Sequence, residues 1–260
     1  MSAATVTAAT SRGPRFARVA FVLAVLSIAV LAVSPLGYRL DWLDLRSALL
    51  VVPLAGVALA AVALLCSVIA AYITRPATGR RGFALSLAAL LLSAVAIGYP
   101  VSGAVKSSSV PRIHDITTDT QNPPQFVALA AARRAAPNGA GYGGEEVAAQ
   151  QRQAYPDIAP LRFALPPDQL FAHVERIARE MGWEVVAAPA AEGRLEATAT
   201  TPLYGFKDDV VIRITAAGSG SRLDMRSKSR LGVGDLGANA ARIRAFVSRL
   251  QEAVPATAAQ

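Results

Sequence analysis

The sequence predicts three N-terminal transmembrane α-helices followed by an α+β domain. That domain reads as two layers, a four-stranded antiparallel sheet packed on two helices, in the order α-β-β-β-β-α. Three observations predict this. Three long apolar stretches lie between Val19 and Val105, and the composition becomes that of a water-soluble protein after Lys106. Strand-like runs then follow one another with only short turns between them. An amphipathic stripe with helical spacing lies on each side of those runs.

The elements follow in order. Residues 1–16 form a basic tail containing Arg12 and Arg15, and residues 17–105 form the membrane anchor. A helix needs about 20 apolar residues to cross a bilayer. The first span runs from Ala17 to Leu36, with Ser34 and Pro35 as its end; the second runs from Ala48 to Ile73 and the third from Phe83 to Val105, both without a charge. The first span also fits a signal peptide, because basic residues precede it. Its length and Pro35 beside the small-residue stretch Ala32 to Ser34 favour a retained helix. No ionisable side chain lies inside spans two or three, which argues against a pump or coupled transporter. Small residues four apart, Gly56 with Ala60 and Ala84 with Ala88, suit close helix packing.

Charge sets the expected orientation. Arg12, Arg15 and Arg18 precede span one, and Arg75, Arg80 and Arg81 fill the loop between spans two and three. The loop between spans one and two carries two arginines, Arg39 and Arg46. The positive-inside rule then puts the N-terminus in the cytoplasm and the C-terminal domain outside it, in a multi-pass protein of the inner (plasma) membrane. The same distribution argues against nucleic acid as a partner. The chain has a net charge of +8, yet residues 106–260 hold 18 Lys+Arg against 16 Asp+Glu. A nucleic-acid domain carries its excess on the folded part. The one cysteine, Cys66, lies within span two, so the C-terminal domain has neither a thiol nucleophile nor a cysteine metal site.

Residues 106–165 read as an irregular linker and lead-in segment, beginning with Ser107 to Pro111 and broken at Pro123-Pro124 and Pro137-Asn138-Gly139. Phe126 to Ala136 suits a short helix, and Gly139 to Gly144 a flexible loop. The regular α+β domain is expected over 166–251 and a disordered tail over 252–260. Its first helix starts at Pro167-Asp168, buries Leu170, Phe171, Val174, Ile177, Ala178 and Met181, and ends at Gly182. Strands are expected at Trp183–Ala187, Arg194–Thr201, Val210–Thr215 and Arg222–Ser229, with one apolar and one polar face. The last helix is expected to start at Asp235 as N-cap, with Asn239 on its apolar side holding the preceding loop.

Several of these stretches carry a family resemblance. They are Ile113 to Asp119 (IHDITTD) with Pro123-Pro124, Tyr155 to Ile158 (YPDI), Glu196 to Thr201 (EATATT), Gly205 to Arg213 (GFKDDVVIR) and Asp224 to Arg230 (DMRSKSR), continued by the loop Gly232 to Asn239. In that order they resemble the family called domain of unknown function 1499, over about residues 111–251. The resemblance implies a bacterial envelope protein and supplies no activity.

The candidate chemistry is sparse, and no cofactor fingerprint is present. Arg226, Lys228 and Arg230 alternate along the last strand and run into Gly232, Gly234 and Asp235, which places bases beside a helix start, a natural anion site. A solvated strand face gives the same pattern. Lys207, Asp208 and Asp209 form a secondary cluster, in which adjacent carboxylates suit acid–base work or ordinary turn chemistry. His114 with Asp115 and Asp119 lacks the spacing of a metal site, and the reading is no metal. His173 lies at the polar edge of its helix. The first functional expectation is a binding or interaction module in the envelope, with membrane lipids around three spans and an envelope protein or an anionic ligand as partner. The rivals are a membrane-tethered hydrolase using Asp208, Asp209 or Asp224 with Arg226, and a lipid or apolar-ligand carrier.

Overall fold

A computed structural model describes residues 12–254 of the chain. Most of the tails expected over 1–16 and 252–260 lies outside the described residues. The chain divides into two compact units, Met1–Val105 and Lys106–Gln260.

The first unit contains helix α1 (Arg12–Arg39), a π-helical turn (Ser47–Val51) leading into α2 (Val52–Thr74), and α3, which starts at Phe83 and runs to Ser109. Three stretches, Arg15–Arg39, Ser47–Thr74 and Phe83–Ser109, are long and apolar enough to cross a membrane. α1 does not end at Ser34-Pro35 but runs through Pro35 to Arg39. A proline removes one donor from the helical ladder, and the rest of the ladder survives it. α3 likewise passes Pro100 and continues through the serines expected to form a linker, with the Ser109 hydroxyl donating to the Lys106 carbonyl. Ala17, Ala20 and Ala24 meet Ala63, Ala70 and Ala89 in the interior of this unit. Gly56 lies so close to Leu31 that an added Cβ would meet its Cδ2 at 2.6 Å. Buried Ser67, Thr74 and Ser93 each donate to a carbonyl four residues back, so none is left unsatisfied.

The second unit holds β1 (Asp115–Thr117), α4 (Ala130–Ala135), α5 (Gly144–Ala154), β2 (Leu161–Phe163), α6 (Pro167–Glu180), β3 (Glu184–Ala187), β4 (Arg194–Thr200), β5 (Lys207–Ala217), β6 (Gly220–Ser229) and α7 (Ala238–Ala253). The sheet has six strands instead of the expected four. Its order is β1-β6-β5-β4-β3, with β2 sharing the β6 edge beside β1, and every pairing is antiparallel. The two extra strands come from the segment expected to be irregular. Each is three residues long, too short for an alternation to show in sequence. α5 was not expected either; it starts at Gly144, where a glycine loop was read.

One face of the sheet packs as expected. Leu195, Ala197, Val210, Ile212, Ile214, Leu223 and Met225 meet Leu170, Val174, Ile177, Ile243 and Phe246 of α6 and α7 in one buried cluster. Trp183 stacks on Phe246 with centroids 5.3 Å apart. α6 begins at Pro167, and Gly182 (φ +73°) follows its end. α7 begins at Ala238, not directly after Asp235. Asp235 still caps it, accepting from the amides of Gly237 and Asn239 while Leu236 and Gly237 take left-handed conformations.

The opposite face corrects the two-layer reading. It is charged, but it is not solvated. Residues 118–143 lie across it as a third, irregular layer. Glu196 of β4 accepts the amides of Val127, Ala128 and Leu129, and Phe126 and Leu129 pack on Val211 of β5. The main-chain carbonyls of Asn122, Pro124, Ala140 and Gly141 in turn accept from Arg213, Arg226, Arg226 and Lys228.

Candidate functional site

The sheet register builds the charged face into rows. Asp115, Lys228, Asp209 and Thr198 lie across four neighbouring strands in one row; Thr117, Arg226, Val211 and Glu196 form the next. Arg226 is fully buried and grips Asp115 with two parallel bonds, Nε to Oδ1 and Nη2 to Oδ2, both 2.8 Å. This is the fork geometry that makes arginine–carboxylate pairs strong. Lys228 Nζ shares Asp115 Oδ2 at 3.0 Å. Arg230 holds Asp209 through Nε (2.9 Å to Oδ2) and Nη2 (2.8 Å to Oδ1). Arg133 of α4, also fully buried, reaches Asp209 at 3.3 Å and donates to the carbonyls of Gly139, Lys228 and Ser229. Burial pulls the Arg133 guanidinium below its usual value, and Asp209 opposes that. Further along the face, Asp224 pairs with Arg213 and Arg222, and Asp119 bridges the same two arginines.

The sequence-predicted residues therefore separate. Lys207, Asp208 and Asp209 are consecutive on β5, so Asp208 and Asp209 point to opposite faces. Asp208 meets Arg242 of α7 at 2.5 Å, beside a network in which Asn239 joins Ser227, Ser229 and the His114 carbonyl. Asn239 thus ties α7 to the sheet and to the start of β1. Asp235 occupies the free amides at the start of α7 with its own carboxylate. Gly232 (φ +92°) and Gly234 shape the loop after β6, and the Gly234 backbone abuts Arg112, where an added Cβ would lie 3.3 Å from the Arg112 Cα. Of the acids near His114 in sequence, Asp115 pairs with Arg226 and Lys228, and Asp119 with Arg213 and Arg222. His173 carries a buried Nδ1 without a hydrogen-bond partner among the described residues.

Of the predicted cations, Lys228 opens onto a cavity. A cleft of about 490 Å³ lies between the start of β1, the loop 138–143, the first turns of α5 and the loop after β6. Lys228 and Asp115 lie at its base; His114, Tyr142, Glu146 and Arg112 line it, with Ile113, Val147 and Val233 as apolar wall. Two polar atoms here are buried without a protein partner among the described residues: His114 Nδ1 and the Tyr142 hydroxyl. A buried polar atom left unpaired is uncommon in a well-packed domain, and the rest of this charged face is densely bonded.

Electrostatics fix the protonation of these groups. Burial lowers the His114 pKa, and the Lys228 charge lowers it further. The Val233 backbone opposes these two effects. Both effects favour the neutral imidazole, in which one ring nitrogen donates and the other accepts. Burial, helped by Asp115, pushes the Tyr142 hydroxyl up to about 12, so it remains a donor. Burial also lowers the Lys228 ammonium, and Asp115 opposes it. The Tyr142 ring lies 5.5 Å from the Arg226 guanidinium, and Phe126 lies 5.1 Å from it on its own side. Tyr142 was missed in the sequence because it sits in a glycine-rich loop without periodicity. His114 was noted, but as a neighbour of acids and not of Lys228.

The geometry defines a protein with three helices of membrane-spanning length and a six-stranded antiparallel α+β domain with a charged interior. A family model described as "Protein of unknown function (DUF1499)" matches residues 115–250. The match covers more than half of the chain, and the chain belongs to this family. The matched residues contain β1 to β6, α4 to α6 and most of α7, together with the charged face and the cleft lining except Arg112, Ile113 and His114; the three apolar helices precede them. A comparison with curated proteins finds no match.

Proposed function

We propose that the chain is a membrane-anchored ligand-binding protein of the bacterial envelope, with the cleft over Lys228 as its binding site. The observation that carries this reading is the pair of buried polar atoms without partners among the described residues, His114 Nδ1 and the Tyr142 hydroxyl, on two residues that line a cleft with a buried lysine. Pockets of this kind combine an apolar wall with a few convergent polar groups. The hydrolase reading fits less well. Asp208, Asp209 and Asp224 have side chains at most 4% exposed and are engaged by arginines, so substrate has no path to them. The carrier reading needs space between helices and sheet, and large side chains fill that layer.

The Tyr142→Phe variant tests this function without disturbing the fold. It deletes a hydroxyl that bonds nothing among the described residues, so stability should stay the same or rise by up to about 1 kcal/mol. Native mass spectrometry of the full chain extracted from its membrane should show a co-purifying ligand on the wild type and its depletion on the variant. Equal occupancy of the two proteins would refute the cleft as the site.

The proposed setting is the inner membrane, with the N-terminus cytoplasmic and the C-terminal domain outside. The arginines flanking spans one and three support this through the positive-inside rule. A reporter active only in the cytoplasm should work when fused after Arg81 and be silent when fused after Gln260. The reverse pattern would overturn the orientation.

A further inference from the structure

The cleft lining carries Arg112 and Lys228 against Asp115 and Glu146, but Asp115 is also claimed by Arg226 from behind, and that sharing describes the ligand. Four buried or partly buried cations, Arg133, Arg226, Lys228 and Arg230, share two carboxylates, Asp115 and Asp209. At the floor of the cleft, the single charge of Asp115 serves both Arg226 and Lys228. Arg226 takes both of its oxygens, and Lys228 has a share of one. One positive charge at the floor is left without an anion of its own. Charges taken out of water in this way are costly unless paired. Tyr142 lines the same space, and its hydroxyl, shielded from solvent, is a donor with no acceptor among the described residues. His114 Nδ1 is likewise shielded and without a partner among the described residues, and an unprotonated ring nitrogen takes a donor.

Resting on the binding-site reading above, we infer that the cleft takes an oxyanion, a phosphate or carboxylate group, carried next to a hydroxyl or N–H donor. The oxyanion accepts from Lys228 Nζ and the Tyr142 hydroxyl, and the neighbouring donor meets His114 Nδ1. Lipid headgroups and soluble metabolites both offer this chemistry. The volume of about 490 Å³ holds such a group together with several further atoms.

The test uses the full chain in phosphatidylcholine nanodiscs and calorimetry at low salt. The probes are glycerol phosphate, sulfate and glycerol. Glycerol phosphate should bind; sulfate, which lacks the donor, should bind about ten-fold more weakly; glycerol should not bind detectably. Lys228→Met and Tyr142→Phe should each weaken glycerol phosphate about ten-fold or more, the loss that accompanies one charge-assisted hydrogen bond. His114→Phe should weaken glycerol phosphate and leave sulfate unchanged. Tyr142→Phe keeps the test decisive if Lys228→Met fails to fold. Adding phosphatidylglycerol to the nanodisc separates two sources: competition with glycerol phosphate marks a lipid headgroup, and its absence a soluble ligand, and the inference holds in either case. Glycerol binding as tightly as glycerol phosphate, or Tyr142→Phe binding like the wild type, would overturn it. A neutral or cationic co-purifying ligand that Tyr142→Phe loses would overturn this inference alone and leave the binding-module reading standing.

Discussion

Asp209→Ala should cost the C-terminal domain about 3–5 kcal/mol, the largest loss expected from a single substitution here. Asp209 is fully buried and is the carboxylate of both Arg133 and Arg230, while also accepting from the Thr198 hydroxyl. Removing one partner of a buried pair leaves the other charge uncompensated in a poor dielectric, which is why such deletions are so costly. Arg133 would keep only carbonyls around it. The contrast is Asp157→Ala. Asp157 pairs with Arg244 in the open, and exposed pairs contribute about 0–1 kcal/mol. A urea titration followed by Trp183 fluorescence, in a Trp42→Phe background, measures both variants. A loss below about 1 kcal/mol for Asp209→Ala would put that carboxylate in solvent and contradict the buried charged face.

Glu196→Ala should be the second most damaging change, on the order of 3 kcal/mol, since it removes several hydrogen bonds to a charged acceptor at once. Its carboxylate accepts three consecutive amides, those of Val127, Ala128 and Leu129, and also pairs with Arg194. These bonds fasten the 118–143 layer to the sheet just before α4. The expected signature is therefore local as well as global. Trypsin should cut the variant at Arg133 or Arg134 well before it cuts β5 or β6, whereas the wild type keeps Arg133 sealed. Wild-type cleavage kinetics in the variant would show that the layer is held by something else.

Much of the architecture was legible because it is periodic. The stripe Leu170, Val174, Ile177 and the alternation Val210, Ile212, Ile214 each report one buried face, and the apolar spans report themselves by length. The third layer was not legible, for a physical reason. Arg226, Lys228, Asp209 and Glu196 stand at alternate positions of their strands as a solvated face does, and nothing in their own segment reveals a cover. Their partners come from far along the chain: Asp115 lies 111 residues before Arg226, and Arg133 lies 76 before Asp209. Those partners sit in a three-residue strand, a six-residue helix and a glycine loop, none long enough to show a period. The site was half legible for the same reason. Lys228 stood out by its alternation with Arg226 and Arg230, whereas Tyr142 gave no signal until the fold carried it to the cleft.

Hydrogen exchange of the wild-type chain tests the central claim, that the charged face is an interior sealed by residues 118–143. The amides of Thr117, Thr118, Val127, Ala128 and Leu129 are bonded to Gln151, Met225 and Glu196, not to water. They should exchange on the slow timescale of β5 and β6, because amides bonded in the interior open only with the surrounding structure. Exchange of those five amides within seconds, while β5 and β6 stay protected, would contradict the account and return the charged face to solvent.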